Sequence, residues 1–143
     1  MSTNSHSFDT AAAHHYTPVA PAERSASEQI TDVVVSWPGV TTGHGNRGER
    51  WFRMGRREIG HLHGDAAAHF GFPRHVWVAL YKQGRIEPHP IFVDLVGPAA
   101  RRIEAESDIQ AVIDLFRLNY ERLTTLAHGR SIVAPTSSPS FGG

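Results

Sequence analysis

The chain lacks several features that would assign it to a class of protein. No cysteine occurs among its 143 residues, which excludes disulfides, thiolate metal ligands and cysteine nucleophiles. The 14 basic residues balance 14 acidic ones, so nothing indicates a general attraction to nucleic acid or anionic lipid. No apolar run approaches the roughly 20 residues of a membrane span, and the N-terminus does not resemble a signal peptide. We therefore expect a soluble, cytoplasmic protein.

Histidine, in contrast, is abundant, with ten residues spread along the chain. Two of them lie one residue apart in the stretch 57–65, which reads Arg-Glu-Ile-Gly-His-Leu-His-Gly-Asp. As a strand, this stretch would place Ile59, His61 and His63 on one face and Glu58 on the other, because side chains alternate. A strand face with two imidazoles is unusual for a core, so this face is the first candidate site.

The apolar pattern predicts one α+β domain, a small antiparallel sheet with three helices. We expect a disordered arm over 1–22, the domain over 23–128 and a disordered tail over 129–143. Capping boxes at Ser25–Glu28 and Ser107–Gln110 indicate two helix starts. The glycine-rich stretch 38–48 is predicted to be a loop. The predicted elements are helices at 25–36, 73–83 and 107–127, a hairpin at 49–63, and strands at 91–96 and 101–105.

The hairpin determines what surrounds the histidines. Gly55 begins a two-residue turn, and pairing from that turn is expected to place Ile59 near Phe52 and His61 near Arg50. If Arg50 lies on the His61 face, its charge would hold that imidazole neutral. A neutral imidazole is the form that binds a metal or accepts a proton.

Three interpretations of this face remain open. In the first, His61 and His63 bind a divalent metal, with His89 or Asp65 as a third ligand. In the second, an imidazole performs acid–base or oxygen chemistry without a metal, and Glu58, on the other face, has a structural role.

In the third, both histidines are half-buried residues whose nitrogens bond to backbone or water. No site role is predicted for His44 or His69.

The chain resembles the small luciferase-domain family, which includes the fungal luciferase and many uncharacterised bacterial proteins. The segment that is specific to the family is Glu-Ile-Gly-His-Leu-His-Gly at 58–64. The resemblance covers about residues 28–126. The further similar segments are Trp-Pro-Gly-Val at 37–40, Phe-Arg-Met-Gly-Arg-Arg at 52–57, Phe-Pro-Arg at 72–74, Gly-Arg at 84–85, Pro-His at 88–89 and Leu-Asn-Tyr-Glu-Arg-Leu at 118–123.

This resemblance implies an activity. The fungal enzyme oxidises a hydroxylated styryl-pyrone with molecular oxygen and emits light without an added cofactor. Transferred to this chain, it implies a pocket for a small aromatic or phenolic molecule, with molecular oxygen as co-substrate. The implied catalytic residues are His61, His63, His89 and Glu58.

Around these we assign ligand binding to Arg50, Trp51, Arg57 and Asp65. The fungal enzyme has a membrane-anchoring N-terminal helix that we do not expect here. The family's Gly-Trp-Val-like strand is replaced by Ile-Phe-Val-Asp-Leu at 91–95, so the pocket is expected to differ.

A second resemblance, in element order, is to the MmcQ/YjbR-like proteins. It implies a non-catalytic binding module for nucleic acid or a protein. Arginines at 50, 53, 56 and 57 could form a local basic patch on the hairpin, although the zero net charge argues against strong phosphate binding.

Overall fold

The structure, a computed structural model, describes residues 24–88 and 97–137, and side chains up to residue 129. The part described is an α+β fold with three helices and a six-stranded antiparallel sheet, as predicted. The helices are α1 (Ala26–Val34), α2 (Arg74–Lys82) and α3 (Glu106–Ser137), and the strands are β1 (Val40–His44), β2 (Arg50–Met54), β3 (Arg57–His63), β4 (Ala67–Phe70), β5 (Glu87–Pro88) and β6 (Ala99–Arg102). The strands lie in the order β1-β2-β3-β4-β6-β5.

Helix α1 starts as the sequence predicts. The Ser25 hydroxyl accepts the backbone N–H of Glu28, and the Glu28 carboxylate accepts the N–H of Ser25. This reciprocal capping box satisfies two of the backbone donors that a helix start leaves without partners. The helix buries Ile30 and Val34 in the core and ends before Pro38.

Helix α3 also lies near its predicted position, but its start is built differently. The helix begins at Glu106, and the predicted Ser107–Gln110 box is replaced by Asp108. The Asp108 carboxylate accepts the backbone N–H groups of Glu104 and Ala105. The helix continues beyond the predicted end at 127 to Ser137. None of the described helices is long and apolar enough to cross a membrane.

The predicted hairpin is confirmed, as β2 and β3 joined by a turn at Gly55. Three further strands were not predicted, among them the two-residue β5 at the edge of the sheet. Strand β1 lies in the stretch 38–48 that we predicted to be a loop, and β4 lies in an unassigned stretch. Both are short, with no long apolar period, and pairing with β2 and β3 stabilises them. Strand β6 lies at 99–102 instead of 101–105, and the predicted strand 91–96 lies outside the described residues.

The core lies between the helices and one face of the sheet. Phe52, Gly60 and Phe70 stand on adjacent strands of this face, and Phe116 of α3 packs on them. The Phe116 ring centroid lies 5.1 Å from that of Phe52 and 4.8 Å from that of Phe70. A Cβ at position 60 would lie 2.7 Å from the Phe70 ring, so this contact requires glycine.

Candidate functional site

Three cross-strand neighbours form a row on the opposite face of the sheet. Trp51 of β2 pairs with His61 of β3, and His61 pairs with His69 of β4. Directly paired residues of antiparallel strands point to the same side and approach closely. Leu62, the next residue of β3, points to the other side and is fully buried in the core. The row therefore lies on the face that does not receive Phe116.

His63 completes a cluster with His61 and His69. His63 follows His61 by two residues on β3, which returns its side chain to the same face. The ring centroids lie 4.9 Å apart for His61 and His63, 5.3 Å for His61 and His69, and 4.4 Å for His63 and His69. One nitrogen from each ring lies within 4.8 Å of the other two. We call these three residues the histidine cluster.

His69 is the member that sequence reasoning missed, because we assigned no site role to it. Strand β4 is four residues long and was not predicted, so nothing showed that His69 faces β3. One signal was present in the sequence. Ala68 and Phe70 flank His69 and are buried, and the Gly64 turn directs the chain back along β3. Extending the strand pattern past this turn would have paired position 69 with His61.

The position of Glu58 corrects a second expectation. We expected Glu58 to point away from the histidines, but its Oε2 lies 2.7 Å from Nδ1 of His61. A β-bulge explains the difference, because Phe52 pairs with Gly60 while Arg53 pairs with Glu58, leaving Ile59 as an extra residue. One extra residue reverses the alternation on one side of the bulge, so Glu58 and His61 share a face.

Helix α3 contacts the bulge directly. The side-chain amide of Asn119, a fully buried residue, donates a hydrogen bond of 2.8 Å to the backbone carbonyl of Ile59. The Asn119 side-chain oxygen accepts a hydrogen bond from Nε of Arg122 at 2.9 Å. Both ends of the buried amide therefore have partners, which is what a polar group in a core requires.

The bulge also changes the pairing of the hairpin. His61 lies opposite Trp51 instead of Arg50, and Arg50 lies opposite Leu62, on the face toward the helices. The Arg50 guanidinium donates to the hydroxyl of Thr42 at 3.4 Å. The expected pairing of His61 with Arg50 is therefore wrong, and the condition under which Arg50 would hold that imidazole neutral is not met.

Trp51 is the direct cross-strand neighbour of His61, and two residues contact its indole. The Arg53 guanidinium lies 3.9 Å from its ring centroid, a cation–π contact. On β1, a Cβ at Gly43 would lie only 2.3 Å from the indole, so the ring passes close over this glycine. The indole is therefore held in place and extends toward β1, on the face of the sheet that also carries the histidine cluster.

Asp65 lies in the β3–β4 turn, and Arg57 lies at the start of β3. The Asp65 carboxylate accepts the backbone N–H of Ser27 at 2.8 Å, in the first turn of α1. A carboxylate at a helix N-terminus is favoured by the helix dipole, so this contact joins the β3–β4 turn to α1. Arg57 is exposed and pairs with Met54. His89, the remaining predicted site residue, lies outside the described residues.

The Glu49 carboxylate lies just before β2, where it accepts the backbone N–H of Arg47. Hydrogen bonds from the backbone N–H groups of Glu49 itself and of Arg47 hold the pKa of Glu49 below its usual value, against a smaller opposing effect of burial. The charges of His61 and His63 act in the same direction as the hydrogen bonds. Glu49 is therefore within electrostatic range of these two histidines.

The proposed basic patch is divided by the sheet. Arg53 stacks on Trp51 on the histidine face, whereas Arg50 lies on the helix face. Two of the four arginines that we grouped as one patch thus point to opposite sides. No described observation favours the nucleic-acid alternative.

Comparison with known proteins identifies the segment that carries these features. Residues 56–119 match the family model described as Luciferase domain. No curated protein and no solved structure matches the chain. The matched segment contains the whole histidine cluster, Glu58 and Asn119. The resemblance to the luciferase-domain family is therefore confirmed for residues 56–119.

Proposed function

We propose that the histidine face binds a small aromatic or phenolic molecule and promotes its oxidation by molecular oxygen. The supporting observation is the cluster of His61, His63 and His69, which lies within the segment that matches the luciferase domain, and Trp51 pairs with His61 on the same face of the sheet. Apolar walls with a few converging polar groups are typical of small-molecule sites.

In this proposal His61 is the base that receives the phenolic proton. The Glu58 carboxylate is an acceptor, so the nitrogen it contacts, Nδ1 of a neutral His61, carries the hydrogen. The other nitrogen, Nε2, then keeps a lone pair that can accept a proton. Loss of its proton makes a phenol electron-rich, and molecular oxygen is the oxidant that receives its electrons. Glu58 acts through His61 and is a positioning residue.

The indole of Trp51 bounds the ligand on one side. Because the Arg53 guanidinium stacks on the ring and the ring passes close over Gly43, the indole is held in place. An aromatic ligand would contact it in the tilted or perpendicular arrangement that aromatic pairs prefer. The role assigned to His89 stays a prediction.

Oxygen uptake with a panel of phenols and hydroxylated pyrones tests the proposal. The His61→Ala/His63→Ala variant should lose turnover by about 10²–10⁴-fold, the usual contribution of a general base. The matched control is His75→Ala, which removes an exposed histidine of α2. Equal oxygen uptake by the double variant and the control would contradict the site. Binding is measured separately, by titration of the ligands in the absence of oxygen.

A further inference from the structure

We infer that the histidine cluster is a binding site for one divalent first-row transition-metal ion, with His61, His63 and His69 as ligands and Glu58 as the residue that orients His61. The single lone pair on Nε2 of His61 cannot bind an ion and accept a phenolic proton at the same time, so a bound ion should inhibit the oxidation proposed above. Metal binding is measured without substrate or oxygen, so the two proposals can still succeed or fail separately.

The distances of the cluster suit a metal ion. A tetrahedral ion at about 2.0–2.1 Å from each nitrogen needs ligand atoms roughly 3.4 Å apart. The three nitrogens already lie within 4.8 Å of one another. The largest separation therefore has to close by only about 1.4 Å, which rotations about the χ1 and χ2 angles of the rings can supply.

The backbone favours this convergence. His61 and His69 are paired directly across β3 and β4, and His63 lies next on the same face. Ligands on adjacent strands of a sheet are held by the ladder of hydrogen bonds, so little backbone ordering is needed when the ion binds. The side chain of His61 is 26 % exposed, which leaves the cluster open to an entering ion.

Glu58 supplies the second, independent observation. Histidines that bind metals commonly donate their other ring N–H to a carboxylate, which fixes the tautomer and the ring orientation. The 2.7 Å contact between Glu58 Oε2 and His61 Nδ1 has this arrangement, and it leaves Nε2 of His61 for the ion. The β-bulge at Ile59 is what brings the carboxylate to this face.

The donor set indicates which ion would bind. Three imidazoles without a thiolate suit zinc, copper, nickel, cobalt or iron, and not the hard cations calcium and magnesium. Three protein ligands leave a fourth tetrahedral position for water or another small molecule. Copper should bind more tightly than zinc, and zinc more tightly than iron, following the general order for divalent ions.

Equilibrium dialysis of the untagged full chain against Zn²⁺, after removal of metals with EDTA, tests the inference. The expected result is one ion per chain, with binding lost in His61→Ala, His63→Ala and His69→Ala. Glu58→Gln should bind about 10–100-fold more weakly, the usual effect of removing an orienting partner. His75→Ala and His14→Ala/His15→Ala should bind like the parent chain.

Three results would each overturn the assignment of the metal site. They are absence of Zn²⁺ binding by the parent chain, unchanged affinity in His69→Ala, and loss of binding in His14→Ala/His15→Ala. Circular dichroism of every variant shows whether it folds. If an alanine variant fails to fold, the parent chain provides a second measurement, because an ion that binds only the folded state raises its thermal midpoint and EDTA reverses the rise. No rise in the parent chain would overturn the inference as well.

Discussion

Replacement of Asn119 by alanine tests the link between α3 and the bulge. Asn119 is fully buried, and its amide donates to the Ile59 carbonyl at 2.8 Å. Removal of the amide leaves a buried carbonyl without this donor, which costs about 1–3 kcal/mol. The space left by the truncated side chain adds to this, so we expect a loss of about 2–4 kcal/mol in the free energy of unfolding. Such a loss is a large part of the roughly 5–15 kcal/mol that stabilises a domain.

Urea unfolding of Asn119→Ala measures this loss, with Gln110→Ala as the matched control. Gln110 lies on the exposed side of the same helix, where it donates to Asp114, and its loss should change stability by less than about 0.5 kcal/mol. A thermal midpoint lowered by on the order of 10 °C should accompany the loss in Asn119→Ala. Equal stability of the two variants would refute the assignment of Asn119 as the support of the bulge.

The same variant has a consequence at the site. The bulge determines that Glu58 and His61 share a face, so loss of its support should weaken the 2.7 Å contact between them. The ring resonances of His61 in an NMR spectrum should then shift in Asn119→Ala and stay unchanged in Gln110→Ala. A His61 spectrum identical to that of the parent chain would show that the bulge holds without Asn119.

Three further predictions concern packing and stability. Gly60→Ala should cost about 1–3 kcal/mol in urea unfolding, because its Cβ would lie 2.7 Å from the Phe70 ring; an unchanged midpoint would contradict the close contact. Ser25→Ala should cost about 0.5–2 kcal/mol by the same assay through loss of the α1 cap, and no loss would contradict it. A backbone N–H donor, that of Glu104, and then Arg101 lower the pKa of Asp108 from 3.8 to about 2. The ionised form of Asp108 therefore contributes about 1–2 kcal/mol to the free energy of unfolding, allowing for partial exposure. This contribution is present above pH 3.8 and disappears as the pH falls through 2. Asp108→Asn should therefore destabilise the protein at neutral pH but not near pH 2.

Local patterns in the sequence determined much of the fold. The capping box at Ser25 and Glu28 depends on residues three apart, and the hairpin depends on a Gly55 turn between two apolar strands. The long apolar stripe of α3 likewise repeats within the helix itself, so its position could be predicted. The candidate face with His61 and His63 followed from strand alternation alone.

The tertiary structure decided the rest, because it depends on pairing between distant residues. Strand β1 has one apolar side chain, Val40, and β4 is four residues long, so neither shows an apolar period of its own, and pairing with the hairpin is what stabilises them. The extra residue Ile59 shifts the register of β3, which turns Glu58 toward His61 and places Trp51 opposite it. His69 joins the cluster through its partner across β3 and β4. Alternation along one strand shows which side chains share a face. Which side chains meet across strands depends on the register of the strands. Here the register is determined by a bulge that accepts a hydrogen bond from Asn119.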